Sequence, residues 1–191
     1  MSLKSEKMEA NTALHHLSAA PWFNQLVAQQ SIVETKTLIS KEKSPHYVVG
    51  RHSPFYFRFA TTPAKSIVVA VWCGQNATNM GGKVQGGAIS SIFDALTASV
   101  GSFAVHPNSF GLTKSLSVKF KSPTPLQTVL KFSVINATFN DDGIGRIQAE
   151  LSNGTGKTYA TCVAEMVDVR TRKKWKEKMK IQQHPRADSK L

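Results

Sequence analysis

One segment limits the fold of this chain more than any other. From about Gly87 to Ala104 the sequence has helix-like spacing and carries Ala88, Ile89, Ile92, Phe93, Ala95, Leu96, Ala98, Val100 and Phe103. These residues cover most sides of a helix, and a helix apolar nearly all round must be buried nearly all round. The flanking sequence has another character. Ile67–Cys73 (IVVAVWC) is a β-branched run of strand type. Leu116, Val118 and Phe120 alternate with Ser115, Ser117, Lys119 and Lys121, the period-2 pattern of a strand. Val129–Ala137, Ile144–Leu151 and Thr158–Val169 read as further strands, joined by the turns Asn140-Asp141-Asp142-Gly143 and Asn153-Gly154-Thr155-Gly156. Strands joined by short turns pair antiparallel. The expected fold is therefore α+β, an antiparallel sheet wrapped around one long central helix.

Upstream, residues 13–30 can form an extra N-terminal helix with Leu17, Trp22 and Leu26 on one face. Pro21 requires a break or a helix start there. Trp22 and Phe23 are expected to pack on the domain. Tyr47–Val49 and Phe55–Phe59 read as one strand or a strand broken at Pro54. Length suits one domain: 191 residues, 41% of them hydrophobic, are enough for a real core. The expected division is residues 1–44 as N-terminal tail and helix, 45–169 as the folded domain and 170–191 as a basic C-terminal tail. No apolar run reaches the roughly 20 residues of a membrane span, and the first residues lack the apolar segment of a secretory leader.

Charge is unevenly placed. Residues 170–191 hold nine Lys or Arg against Glu177 and Asp188, a net of +7. No nucleic-acid-binding motif accompanies this run, so a solvated tail is the expectation and no nucleic acid is expected as partner. Between Lys43 and Asn140 the only acid is Asp94. A lone carboxylate in an apolar, otherwise acid-free stretch is a site candidate. Cys73 and Cys162 read as small buried hydrophobes, and no metal-ligand spacing is visible, so neither a metal nor a separate cofactor is expected.

The motif Val84-Gln85-Gly86-Gly87-Ala88, with Asp94 further down the same helix, resembles the hotdog-fold acyl-CoA thioesterases of the PaaI and thioesterase-superfamily-member type. Their usual form is His-Gly-Gly-(Ala), six or so residues, then Asp. The run Thr113–Phe120, followed by Pro123-Thr124-Pro125-Leu126, is similar to the family's third strand and its ending. The resemblance covers roughly residues 45–169. It implies hydrolysis of an acyl-CoA, fatty or related, to free acid and CoA. It makes Asp94 the general base or nucleophile, the Gly86 N–H part of an oxyanion hole, Asn79 a group that orients the thioester or water, and Thr113 a hydroxyl beside the carboxylate. Gln85 stands where the family has His. Glutamine keeps a donor and an acceptor but does not titrate near neutral pH. A non-catalytic acyl-CoA-binding protein is the alternative that this exchange opens.

The chemistry fits the residues. A helix N-terminus offers free N–H groups and a favourable dipole, and glycines there admit a close ligand. Gly87 belongs to the same turn. CoA is phosphorylated, so Lys83, Lys114, Lys119 and Lys121 are candidate cations around the entry. Gly86 and Asp94, however, stand roughly 12 Å apart along one helix. One carbonyl carbon cannot touch both. In the family the site is shared across a dimer, so the expectation is a homodimer in which Asn79 and Gly86 face Asp94 and Thr113 of the partner. Pairing of dimers into a tetramer is left open.

The sequence ends Ser189-Lys190-Leu191, the peroxisomal address read by an import receptor. Peroxisomes and glycosomes house fatty acyl-CoA metabolism, so address and chemistry agree.

Overall fold

The computed structural model describes residues 12, 15–29, 35–38, 55–61, 67–98, 111–141 and 143–168. Its elements in chain order are α1 (Pro21–Gln29), β1 (Thr35–Leu38), β2 (Phe55–Thr61), β3 (Ile67–Cys73), α2 (Gly86–Leu96), β4 (Gly111–Phe120), β5 (Val129–Phe139), β6 (Ile144–Ser152) and β7 (Thr158–Asp168). Tyr47–Val49, residues 99–110 and the basic tail lie outside the described residues.

Turn chemistry sets the hairpins. Between β5 and β6, Gly143 adopts φ 71°, a left-handed conformation that glycine takes without strain. Its N–H bonds the Asn140 carbonyl, and the Asn140 side chain accepts from the Ile144 N–H at 2.8 Å. Between β6 and β7, Asn153 Oδ1 accepts from the N–H groups of Thr155 and Lys157, both at 2.9 Å. With both turns fixed, β5, β6 and β7 pair in sequence. All neighbours in the seven-stranded sheet are antiparallel, in the order β1-β2-β3-β5-β6-β7-β4. β4, the first described strand after α2, thus becomes an edge.

β1 lies ahead of the domain start expected at residue 45, so the sheet reaches further toward the N-terminus. Its four residues, Thr-Lys-Thr-Leu, carry too little apolar patterning to announce a strand. In the N-terminal helical stretch, Pro21 opens α1, where its fixed φ suits the first helical position and its missing N–H leaves nothing unsatisfied.

The core lies between one sheet face and α2. Val69, Val71 and Cys73 of β3, Leu130 and Phe132 of β5, Ala149 and Leu151 of β6 and Ala160 and Cys162 of β7 meet Ala88, Ile89, Ile92, Phe93 and Leu96. Each large side chain so buried contributes about 1.5–3 kcal/mol. The other sheet face is covered at β3 and β5. Val68, Ala70 and Trp72 are buried there. The His16 ring stacks on Trp72 with centroids 6.2 Å apart, and the Lys131 ammonium sits 6.0 Å from the Trp22 ring centre. Leu17 and Phe23 are fully buried.

α2 departs from the all-round burial expected of it. Gly87 and Asp94 are exposed, and Ser90, Ser91 and Ala98 are only half-buried. At spacings of three and four these residues fall on one stripe. The chain's own sheet covers the other sides, and the uncovered stripe is made of small residues and Asp94. The described helix covers 11 residues and passes into a wider turn at Thr97 and Ala98.

Candidate active site

The N-terminus of α2 is held by the loop before it and by the segment after β4. Asn79 Oδ1 accepts from the N–H groups of Gly81 at 2.8 Å and Lys83 at 3.1 Å, closing the loop on itself. The Val84 N–H reaches the Thr124 carbonyl at 2.9 Å, and the Gln85 N–H reaches the Ala77 carbonyl at 2.7 Å. Lys83 bridges Pro125. The Pro-Thr-Pro segment therefore anchors the start of α2. Asn79 has its carbonyl oxygen committed to the loop, which leaves its amide N–H groups to donate.

Gln85 is the N-cap of α2. Its backbone is extended, and its Oε1 accepts the Ala88 N–H at 3.0 Å. This satisfies one of the orphan donors of a helix start. The side chain folds over Gly87 so closely that a Cβ there would stand 2.7 Å from Oε1. On the other side the Phe120 ring rests on Gly86, its Cζ 3.3 Å from where a Cβ would stand. A side chain at Gly87 would have to push the Gln85 amide aside, and one at Gly86 would shift the Phe120 ring by a few tenths of an ångström. The N–H groups of Gly86 and Gly87 have no acceptor among the described residues, so the helix dipole ends in two unfilled donors.

Asp94 lies on the uncovered stripe of α2. Its carboxylate has no hydrogen bond or ion pair among the described residues, and it is exposed in the single chain. A buried carboxylate that caps backbone, the structural alternative for a lone acid, is not what is seen. Thr113 is set opposite Met166, whose side chain sits in the core beside Ala98 and Leu116. Thr113 therefore faces the α2 side of the sheet.

Helix and edge strand run in opposite directions. The start of α2 lies at Phe120, and its far end packs with Leu116 on Ile147, Ala164 and Met166. Asn79, Gln85, Gly86 and Gly87 thus gather at one end with Lys83 and Lys121. Asp94 and Thr113 lie toward the other, Thr113 being seven residues, about 23 Å, from Phe120 along β4. Within one chain the structure gathers Asn79, Gln85, Gly86 and Gly87 at the start of α2, and Asp94 and Thr113 stand apart from that group.

Lys114 joins neither group. β4 bulges between Thr113 and Ser115, and Lys114 turns to Glu165 at 3.3 Å. Glu165 alternates with the core residues Ala164 and Met166, so the pair lies on the sheet face away from α2. The lysine holds the Glu165 carboxyl below its usual range. Lys119, paired with Thr161, points to that outer face as well. Cys73 and Cys162 are buried, and desolvation pushes each thiol up to about 12.

Sequence reasoning did not anticipate the cap made by Gln85 or the ring laid on Gly86. The first had a signal, a side-chain acceptor directly before a helix. The second needs tertiary structure, because nothing local brings residue 120 to residue 86.

No family model and no curated protein matches the chain. Solved structures do. A phenylacetic acid degradation-related protein of Ralstonia eutropha JMP134 is 21% identical with TM-score 0.52, covering 67% of this chain and 95% of that one. A Streptococcus mutans UA159 protein bound to acetyl CoA is 14% identical with TM-score 0.51, covering 59% and 87%. A thioesterase superfamily protein is 19% identical with TM-score 0.50, covering 59% of this chain, which spans about half, 53%, of that protein's length. The chain shares the fold of these proteins, the hotdog fold.

Proposed function

We propose that the chain is an acyl-CoA thioesterase, hydrolysing a fatty or related acyl-CoA to free acid and CoA. The observation that carries the reading is a matched pair of groups unfilled among the described residues: N–H donors at Gly86 and Gly87, and the carboxylate of Asp94 on the uncovered stripe of the same helix. The hotdog fold, shared with a protein bound to acetyl CoA, supports the choice of ligand.

The thioester oxygen sits at the Gly86 N–H, where the helix start stabilises the developing negative charge. Asp94 takes a proton from water as the water oxygen bonds to the carbonyl carbon, or attacks that carbon itself and is released by water. The carbon–sulfur bond breaks, CoA leaves as the thiolate, and a proton returns to sulfur. Asn79 donates through its amide, and Thr113 holds water beside Asp94. Gln85 caps the helix through Oε1, leaving its amide N–H groups near the donors. Lys83 and Lys121 are the cations at this end assigned to the CoA phosphates. Their Lys114 counterpart is occupied by Glu165 on the other face.

Gly86 and Asp94 are too far apart to serve one carbonyl, so the site is completed by a second copy. β4 is an edge strand, and α2 carries a stripe that nothing among the described residues covers. A two-fold dimer joined at β4 sets Gly86 and Asn79 of one protomer against Asp94 and Thr113 of its partner. The terminal Ser189-Lys190-Leu191 is proposed to direct the protein to peroxisomes or glycosomes through the import receptor. Removing the tripeptide from a tagged protein is expected to leave it cytosolic, and unchanged import would contradict the address.

A second reading, a protein that binds acyl-CoA without hydrolysing it, is favoured by Gln85, which cannot transfer a proton as the family His can. One assay separates the two: hydrolysis of acyl-CoAs of several chain lengths, with Asp94→Asn as control. Turnover that Asp94→Asn abolishes supports the enzyme. Binding without turnover supports the second reading.

A further inference from the structure

The two glycines at the start of α2 lie between unlike walls. One is the Gln85 amide, against Gly87. The other is the Phe120 ring, against Gly86. The donors of Gly86 and Gly87 are thus flanked by the amide and the ring. Phe120 is set opposite Ala160, whose small side chain gives the ring little backing across the sheet. Although it points toward the α2 face, Phe120 is 56% exposed in the single chain. An aromatic ring left open beside unfilled donors is placed to touch whatever those donors hold, and the contact removes apolar surface from water.

We infer that Phe120 is an acyl-selectivity residue, whose ring walls the Gly86 side of the site and limits the bulk of the acyl group next to the thioester carbon. The inference rests on the thioesterase reading. With the thioester oxygen on the Gly86 N–H, the carbonyl carbon and the first acyl carbons lie within a few ångströms of Gly86 and so come against the ring. An alkyl chain cannot pass between Phe120 and Gly86, because van der Waals contact already fills that space. Long or α-branched acyl groups then have to displace the ring, while an acetyl group does not. Pocket walls of this kind discriminate by about ten- to two-hundredfold per methylene.

The test compares wild type, Phe120→Ala and Phe120→Trp on acetyl-, hexanoyl-, 2-methylbutyryl- and palmitoyl-CoA, reading kcat/KM for each and its ratio to acetyl-CoA. Phe120→Ala is expected to raise the ratios for the branched and long substrates by about tenfold or more. Phe120→Trp is expected to lower them. Phe120→Leu, which keeps an apolar contact with less volume, gives the same readout if Phe120→Ala does not fold, with ratios shifted the same way. Wild-type turnover with ratios unchanged in every Phe120 variant overturns the inference alone. Absence of both turnover and acyl-CoA binding in the wild type overturns the thioesterase reading and the inference with it.

Discussion

Asp94 and Gly86 stand on one 11-residue helix, eight residues and roughly 12 Å apart along its axis. The glycine ends the helix in an unfilled donor, and the carboxylate opens sideways onto a stripe of small residues. In the proposed mechanism each supplies half of what thioester hydrolysis needs, and neither can reach the other's substrate atom.

Replacing Asp94 separates chemistry from folding. The carboxylate is exposed and unpartnered among the described residues, so Asp94→Asn is expected to change stability by less than about 0.5 kcal/mol. Acyl-CoA hydrolysis is expected to fall by about 10²-fold or more. Thermal melting and steady-state kinetics on the same preparation check both.

Gln85→Ala removes the side-chain N-cap of α2. A loss of about 1 kcal/mol, within the range for N-caps, is expected in urea unfolding. Gly87→Ala is expected to push the Gln85 side chain off its cap, since the new Cβ would stand 2.7 Å from Oε1. The two variants should therefore be less destabilising in combination than the sum of their separate effects.

The lysines are expected to divide by their distance from the start of α2. Lys83→Ala and Lys121→Ala should raise KM for acyl-CoA, and Lys114→Ala should leave it unchanged. Lys114 instead holds Glu165 below its usual range in the folded state. A depressed carboxyl stabilises above its unfolded pKa and loses that contribution as pH falls through the folded value. The difference in melting temperature between wild type and Lys114→Ala should accordingly be small at neutral pH and vanish in acid.

Both cysteines are buried, with thiols pushed up to about 12. Below that value they remain protonated, and the thiolate is the reactive form. Native protein titrated with a disulfide reagent at pH 8 should therefore show no reaction at Cys73 or Cys162, and both should react once the chain is unfolded.

Legibility in the sequence followed the strength of local signals. Ile67–Cys73 matches β3 end to end, and the hairpins at Asn140–Gly143 and Asn153–Gly156 fall where their turn residues set them. β1 was not legible, because Thr-Lys-Thr-Leu has no apolar period. The helix was placed, but its apolar composition overstated its burial: Ser90, Ser91 and Asp94 were the polar signal of an uncovered side. The face of Lys114 is not legible locally, because a strand residue's face depends on register, and the bulge after Thr113 reverses it. The closeness of Phe120 to Gly86 arises only when β4 closes the sheet edge over the helix start.

Mixing two damaged subunits tests the shared site most directly. Gly86→Pro removes the donor at the first helical position, where proline is tolerated, and the extended Gln85 backbone suits the residue before a proline. Asp94→Asn removes the acid. Each variant alone should be nearly inactive on acyl-CoA. Exchanged into mixed dimers, the pair should recover about a quarter of wild-type activity, because half of the dimers hold one intact site of two. No recovery under conditions of proven subunit exchange would contradict a site built from Gly86 of one copy and Asp94 of the other.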